Sequence, residues 1–498
     1  MTQQKTTETD VLTRPDPNVV PSEYSDRIND LFDTWSTVRG RNRKLRRYYE
    51  GKIKVKNLNI AVPASFEKLN VVSGWPAKAV HAHAMRSIFD GFVFAGEEDA
   101  SLSRLVRQNR LRTLYQQAVT SSLIYGVSFF TVMKGREGQP PVKVRLFSAN
   151  QACALWDKDE DRIACGIVLS DVDMNGNPTE YVVHMPDAVI TFNRAGELWT
   201  SKTEANLMGR PMMEPIIYGA DPDRPLGHSM LTPELLGIVD KAMRDVLRME
   251  VGAEFFTAPQ RYVLGASEDL FSGAAEADVS EDGEVSAQPA SDAAKLKAYY
   301  GALWAITRDE NGDVPTVGEF SAPGASNFIS VFENDAQRFS GATNVPLAQL
   351  GVLSNNYTSS DALGAANDPL ILEVETMNRS NAEAMEEIAR MVMSVNDGIP
   401  IAELRDKADE VQCYLHDPAK STFAAQADAW TKVIGGPCPE LAGTDVAYEG
   451  IGFSQPTIDR IHAQKGKAEV TQTMNAIADS IIAKAGVKPL DEHGDHVG

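Results

Sequence analysis

The hydrophobic period changes partway along this chain. From about Ser128 to Tyr218 apolar residues recur at every second position, in FFTVMKG, PVKVRLF, IACGIVLSDVD, TEYVVHM and AVITFN. Before and after that block they recur at spacings of three and four. A period of two lines one face of a strand, and a period of 3.6 lines one face of a helix. No architecture of a single element type can hold both. Turn signals separate the short segments, at Asn175-Gly176 and at Asn193-Arg194-Ala195-Gly196. The strands follow one another directly instead of alternating with helices. The predicted layout is therefore α+β, mostly helical, and not a βαβ repeat.

The helical parts are legible in the same way. Ile28, Leu31, Phe32, Trp35 and Val38 mark the buried face of a helix over 22–49. The end of that helix is basic, with Arg39, Arg41, Arg43, Lys44, Arg46 and Arg47. Positive charge there complements the helix dipole; an acidic partner or nucleic acid is the other reading. Further helices are expected from Leu69 to Phe89 and from Ser101 to Ile124. A long one runs over 232–256, with Pro233 at its first position, where a missing N–H costs least. Its pairs Asp240–Arg244 and Lys241–Asp245 are oppositely charged at i,i+4. A strand at 259–265 is followed by an acidic stretch poor in hydrophobics, 266–292, which reads as a solvated excursion. Strands at 299–307 and 314–320, a helix over 326–342, and a long helical segment from Asp361 to about Val395 come next. The last hundred residues carry helices near 420–434, 455–464 and 467–485.

Composition narrows the function. The 498 residues carry a formal charge of -21, and a protein that clamps DNA through its phosphates should carry basic patches instead. No apolar run of about 18 residues is present, so no membrane span is expected. The polar N-terminal arm lacks the apolar core of a secretory signal. Cys153, Cys165, Cys413 and Cys438 lie far apart, which argues against a disulfide framework or zinc knuckle.

Several strings imitate functional motifs. Asp171-Val-Asp173-Met-Asn175-Gly176 matches half of a calcium loop, but Val182 stands at position twelve, where a bidentate Glu is needed. A hairpin turn is the better reading. His81 and His83 are two apart on a helix and point in nearly opposite directions, so they cannot share a metal. His493 and His496 sit in a polar tail, and Asp309 and Glu310 adjoin a turn. Nucleophile-elbow, Walker, HExxH and dinucleotide patterns do not occur. Nothing here favours catalysis, a metal or a cofactor.

The stretch GVLSNNYTSSDALGAANDPLILEVE, 351–375, is more informative. Thr358 and Asp361 have the spacing of a helix cap and its third helical residue, and Asp361 suits the positive end of the dipole. Pro369 then stands inside the expected helix, where a proline costs about 3 kcal/mol unless the site is built for a bend. The expectation is a polar loop joined to a broken helix, an articulated element and not a catalytic loop.

Taken in order, several strings resemble the portal proteins of long-tailed bacteriophages. They are RRYYEGK (46–52), LNVVSGWPAKAVHAHAMRSIFDGFVF (69–94), the run 232–265, DENGDVPTVGEF (309–320), TNVPLAQLGVLSNNYTSSDALGAANDPLI (343–371) and 449–464. The resemblance implies a fold of wing, stem helices, β-containing clip, tunnel loop and helical crown, assembled as a twelvefold homo-oligomeric ring. Carried onto this chain, 1–20 is an arm and 21–225 the wing, with its β-rich insertion at 128–218. Residues 226–256 and 323–343 are the stem helices, and 257–322 the clip. The tunnel loop is 344–361, 362–400 a kinked helix joining the wing, and 401–498 the crown and tail.

The same resemblance implies the contacts. Asn355, Asn356, Tyr357, Thr358 and Ser359 would face double-stranded DNA in the channel. Thr358, Asp361 and Pro369 would couple that loop to the wing. Glu268, Asp269, Glu281, Asp282 and Glu284 of the clip would meet the large terminase motor and the head–tail adaptor. Major capsid and scaffolding proteins are the other implied partners. The implied place is the virion, after assembly in the host cytoplasm. Charge agrees, since an acidic wall without Lys or Arg at the loop lets phosphates slide. The alternatives are a head–tail connector or minor capsid protein, and a DNA-processing enzyme with a dispersed carboxylate site.

Overall fold

The computed structural model describes residues 12–54, 71–94, 100–257, 261–264, 316–319, 325–352, 364–404, 410–419, 423–453, 457–458 and 460–467. They fall into two compact units, 1–418 and 419–498.

The period-two block becomes two antiparallel sheets. Strands β4 (Ala152–Asp157), β5 (Arg162–Val172), β6 (Pro178–His184), β7 (Ala188–Ala195) and β8 (Leu198–Ala205) form a meander in sequence order. Strands β2 (Val127–Lys134), β3 (Val142–Ser148) and β9 (Met213–Ile217) form a second sheet, ordered β3-β2-β9. β5 and β6 are joined by the expected hairpin turn. Gly176 adopts a φ of 83°, and the Asp173 carboxylate accepts from the backbone N–H of Asn175 and Asn177, both at 2.8 Å. That carboxylate is committed to its turn, as the hairpin reading requires.

One face of the five-stranded sheet is covered by α1 (Ser25–Tyr49). Ile28, Leu31, Phe32 and Trp35 are all buried, and they meet Cys165, Ile167, Tyr181, Val183, Ile190 and Phe192 in one apolar cluster. Tyr181 sits at its centre, edge-on to Phe32 at 5.3 Å and stacked on Trp199 at 5.5 Å. A larger cluster gathers β2, β3, β9 and the remaining helices of the first unit.

The expected helix from Ser101 to Ile124 is two helices, α3 (Ala100–Asn109) and α4 (Leu111–Tyr125). Arg110 between them has a φ of 54°, a left-handed conformation that interrupts an α-helix. Gly126 closes α4 with a φ of 103°, and a Cβ there would lie 3.0 Å from the His228 backbone. A larger residue would be strained and crowded at once. The helix expected from Leu69 is seen as α2 (Trp75–Ala84), with Pro76 in its first turn. After it comes a strand the sequence did not suggest, β1 (Phe89–Phe94), paired antiparallel with β12 (Val411–Leu415). Residues 401–418 thus belong with the first unit rather than with the C-terminal helices.

Helices α5 (Pro233–Thr257) and α6 (Ala325–Thr343) pack side by side, and the antiparallel strands β10 (Arg261–Leu264) and β11 (Thr316–Glu319) lie between them in sequence. The long helix α7 spans Asp368–Asp397. The second unit contains α8 (Phe423–Ile434) and α9 (Asp445–Ile451), the latter capped by Thr444, whose hydroxyl accepts from the Ala447 N–H at 3.3 Å. Among the described residues no helix is long and apolar enough to cross a membrane.

Candidate functional site

The channel-loop residues Asn355, Asn356, Tyr357, Thr358, Ser359 and Asp361 lie outside the described residues, as do Glu268, Asp269, Glu281, Asp282 and Glu284 of the acidic excursion. The structure does describe what holds the two ends of the loop, and the helix pair that leads to it.

On the incoming side, α6 ends at Thr343, whose hydroxyl donates to the Phe339 carbonyl at 2.8 Å. Asn344 follows in the left-handed region, φ 55°, which Asn tolerates better than most residues. Val345 is fully buried, and a short 3-10 turn, Leu347–Leu350, is closed by Gly351 at φ 83°. On the outgoing side the chain re-enters at 364, and α7 begins at Asp368. Pro369 is its second residue, not an interior one. A proline in the first turn removes no intrahelical bond and its fixed φ suits the start. Residues 364–365 are helical and 366–367 form a turn, so the helix is interrupted just ahead of Pro369, and α7 starts after the interruption.

Asn367, immediately before α7, does not cap it with its side chain. Its Oδ1 instead accepts from Arg86 at 3.2 Å and from Gln349 at 3.3 Å. Gln349 belongs to the incoming end and Arg86 follows α2. One amide oxygen therefore ties both ends of the loop to each other and to the body of the first unit.

One turn and a half further along α7, Glu373 forms the centre of a second knot. Its carboxylate accepts from the Tyr218 hydroxyl at 2.7 Å and from Asn344 Nδ2 at 3.0 Å. His83 Nε2 stands 3.1 Å away, on a side chain with no solvent exposure whose Nδ1 donates to the Ala79 carbonyl at 2.9 Å. Four segments meet here: α2, the end of β9, the end of α6, and α7. Burial opposes ionisation of Glu373, but the donors from His83, Asn344 and Tyr218 outweigh it and hold the carboxyl down at about 2. His81 points the other way and meets the Tyr49 hydroxyl at 2.8 Å, so the two histidines diverge as their spacing requires.

The α5–α6 pair is clasped by charge. Lys241 Nζ donates to both oxygens of Asp335 at 2.7 Å and to Asp245 at 2.9 Å, and Arg248 reaches Asp245 at 2.9 Å. Asp335 is fully buried, so its charge is tolerable only because the lysine neutralises it. The expected Lys241–Asp245 pair is therefore present, with Asp335 added. Asp240 is taken by the Tyr48 hydroxyl of α1 at 2.8 Å, and not by Arg244. Trp75 lies against Phe332 and Phe339 of α6, with ring centres 5.1 and 5.4 Å apart.

At the far end of α7, Arg210 bridges Glu214 at 2.7 Å and Glu387 at 2.6 Å, and Glu387 also pairs with Arg390. Burial pushes the Glu214 carboxyl up to about 8. Arg210 pulls it back only in part, and Glu387 adds repulsion. Among the described residues no group of three or more His, Cys, Asp or Glu could hold a metal ion. Burial pushes the Cys153 thiol up to about 12 and the Cys165 thiol up to about 11, so neither is a nucleophile at neutral pH.

Sequence reasoning singled out His83 only to dismiss it as a ligand, and missed Glu373, Tyr218 and Asn344. The available signal was Asn344 itself, an Asn between a helix and Val345-Pro346, where a left-handed exit is natural.

Residues 28–439 match the family model described as phage portal protein, SPP1 Gp6-like. The portal protein of Mycobacterium phage D29 is 26% identical over 418 residues, covering 80% of this chain and 81% of that one. The portal protein of Mycobacterium phage L5 is 26% identical over 454 residues, covering 87% and 86%. Among solved structures, a chain in the neck of the native gene transfer agent particle, computed with C12 symmetry, is 12% identical with a TM-score of 0.44. It matches over 83% of this chain and 93% of its own. A chain of the native gene transfer agent virion has the same identity and score, over 80% and 89%.

Proposed function

The chain belongs to the SPP1 Gp6-like family of phage portal proteins, structural and not enzymatic components of the particle, and we propose that it works as a ring-shaped DNA conduit. The ring sits at one vertex of the capsid, nucleates head assembly, docks the packaging motor and later the head–tail adaptor, and passes DNA in both directions. The observation that carries this reading is the family match, whose bounds, 28–439, take in the two sheets, both clasped helices and the loop between α6 and α7.

In this reading the sheets and α1–α4 are the wing, α5 and α6 the stem, and the β10–β11 pair the described part of the clip. The loop over 344–361 faces the DNA with Asn355, Asn356, Tyr357 and hydroxyls, and the helices of the second unit contribute the crown. A chain of charge -21 supplies a channel wall that repels phosphate and does not hold it. The paired charges of the stem support it in the same way, because Lys241 and Arg248 are neutralised by Asp335 and Asp245 and are not offered to DNA.

Electron microscopy of the purified protein tests the ring: closed particles with a central hole are expected. A uniform monomer with metal-dependent DNA cleavage overturns the reading. The loop is tested by Asn355→Lys with Asn356→Lys, which should slow DNA packaging several-fold while rings form normally. Unchanged packaging would remove the loop from the channel surface.

A further inference from the structure

Beside α1 the first unit opens a pocket of about 360 Å³. Its walls are apolar and aromatic, with Val38, Tyr125, Phe129 and Trp156 among them, and its lining also includes two guanidinium groups, Arg41 and Arg224. Enclosed apolar walls with a few convergent polar groups are the ordinary make-up of a small-molecule site, and this volume lies at the small end of the range.

The two arginines are the unusual feature. Both are exposed, and among the described residues neither is ion-paired with a carboxylate. Asp221, near Arg224 in sequence, is committed to its own turn, where its carboxylate accepts from the N–H groups of Asp223 and Arg224, both at 2.9 Å. Arg41 is steadied by Asn42, whose Oδ1 accepts from it at 3.3 and 3.4 Å; Asn42 is fully buried and donates to the Ala149 carbonyl at 3.2 Å. Partial desolvation of a side chain that still reaches solvent, and then the charge of Arg224, lower the Arg41 pKa. Two like charges thus line one largely apolar cavity and repel each other, on a strongly acidic molecule. An anion between them relieves the repulsion, and a guanidinium fork fits carboxylate and phosphate oxygens two at a time.

We propose that this pocket binds a small organic anion, a carboxylate or phosphate carried on an apolar, ring-sized body. Arg41 and Arg224 grip the anionic group, and the body lies against Phe129 and Trp156. The inference is independent of the ring and of the channel.

The test uses the full-length protein, titrated by calorimetry and ligand-observed NMR with 3-phenylpropionate, phenyl phosphate and the uncharged 3-phenylpropanamide. At least one acid should bind at least tenfold more tightly than the amide, and the tighter of the two identifies the preferred anion. The double variant Arg41→Gln, Arg224→Gln should lose that tenfold preference, whereas Arg47→Gln, which removes one charge from α1 away from the pocket, should keep it. Val38→Trp, which fills the pocket and leaves both arginines in place, should abolish binding of acid and amide alike. Equal binding of acid and amide, no binding of either acid at millimolar concentration, or full retention of the preference in the double arginine variant overturns the proposal.

Discussion

Helix α7 carries one half-buried carboxylate knot near each end, and the two behave in opposite ways. At its start Glu373 is held at about 2, and toward its finish Glu214 of β9, tied to α7 through Arg210 and Glu387, is raised to about 8. Burial pushes both carboxyls up. The difference lies in what surrounds them: Glu373 accepts from Tyr218 and Asn344 and faces the His83 ring, whereas Glu214 shares its single arginine with a second carboxylate. A buried charge is stable where its hydrogen-bond capacity is filled by donors, and unstable where it competes for one cation. The loop end of α7 is thus the pinned end.

The sharpest way to break the contrast is to remove the pinned carboxylate. Glu373→Ala leaves Tyr218 and Asn344 without their acceptor and His83 without its neighbouring charge, and should cost about 2 kcal/mol in chemical denaturation, below the scale for breaking a fully buried pair. A loss below about 1 kcal/mol would mean that the knot is not a stabilising element.

The pH dependences should run in opposite directions. Glu373 titrates lower in the folded state than in the unfolded chain, so its contribution is present above about pH 4.5 and is lost as the pH falls through about 2. Glu214 titrates higher when folded, so its contribution is complete below about 4.5 and is lost as the pH rises through about 8. Comparing each Gln variant with the parent across pH 2–9 isolates both slopes. Glu373→Gln should flatten the acid limb and Glu214→Gln the alkaline one. At pH 6 Glu214→Gln should be nearly neutral, within about 1 kcal/mol, because an amide mimics the protonated acid already present. Tyr218→Phe should cost about 1.5 kcal/mol, for one lost hydrogen bond to a charged group, which leaves Glu214→Gln as the smallest effect. The Tyr218 variant should also move the acid limb to higher pH, since one donor fewer holds Glu373 down.

What was legible in the sequence was whatever is periodic or local. The strands of the 128–218 block, the α5 and α6 helices and the Asp173–Asn177 turn follow from spacing and turn chemistry over a few residues. The break at Arg110 did not, because nothing but tertiary packing forces a non-glycine residue into the left-handed region. The β1–β12 pair joins Phe89 to Leu415, and Glu373 gathers partners as far away as His83. Such contacts leave no period in the chain. Pro369 could be placed only near a helix break: a proline reports that a helix starts or bends, and here the turn at 366–367 precedes it by one residue, with α7 starting at Asp368.

The oxygen of Asn367, shared by Arg86 and Gln349, bears on evolution as well as on architecture. With both ends of the intervening segment moored to the same point, its sequence and length are decoupled from the rest of the molecule. Lengthening a loop between fixed ends costs little, about 0.6 kcal/mol per doubling. Drift can therefore retune the part assigned to the cargo without renegotiating the fold that presents it.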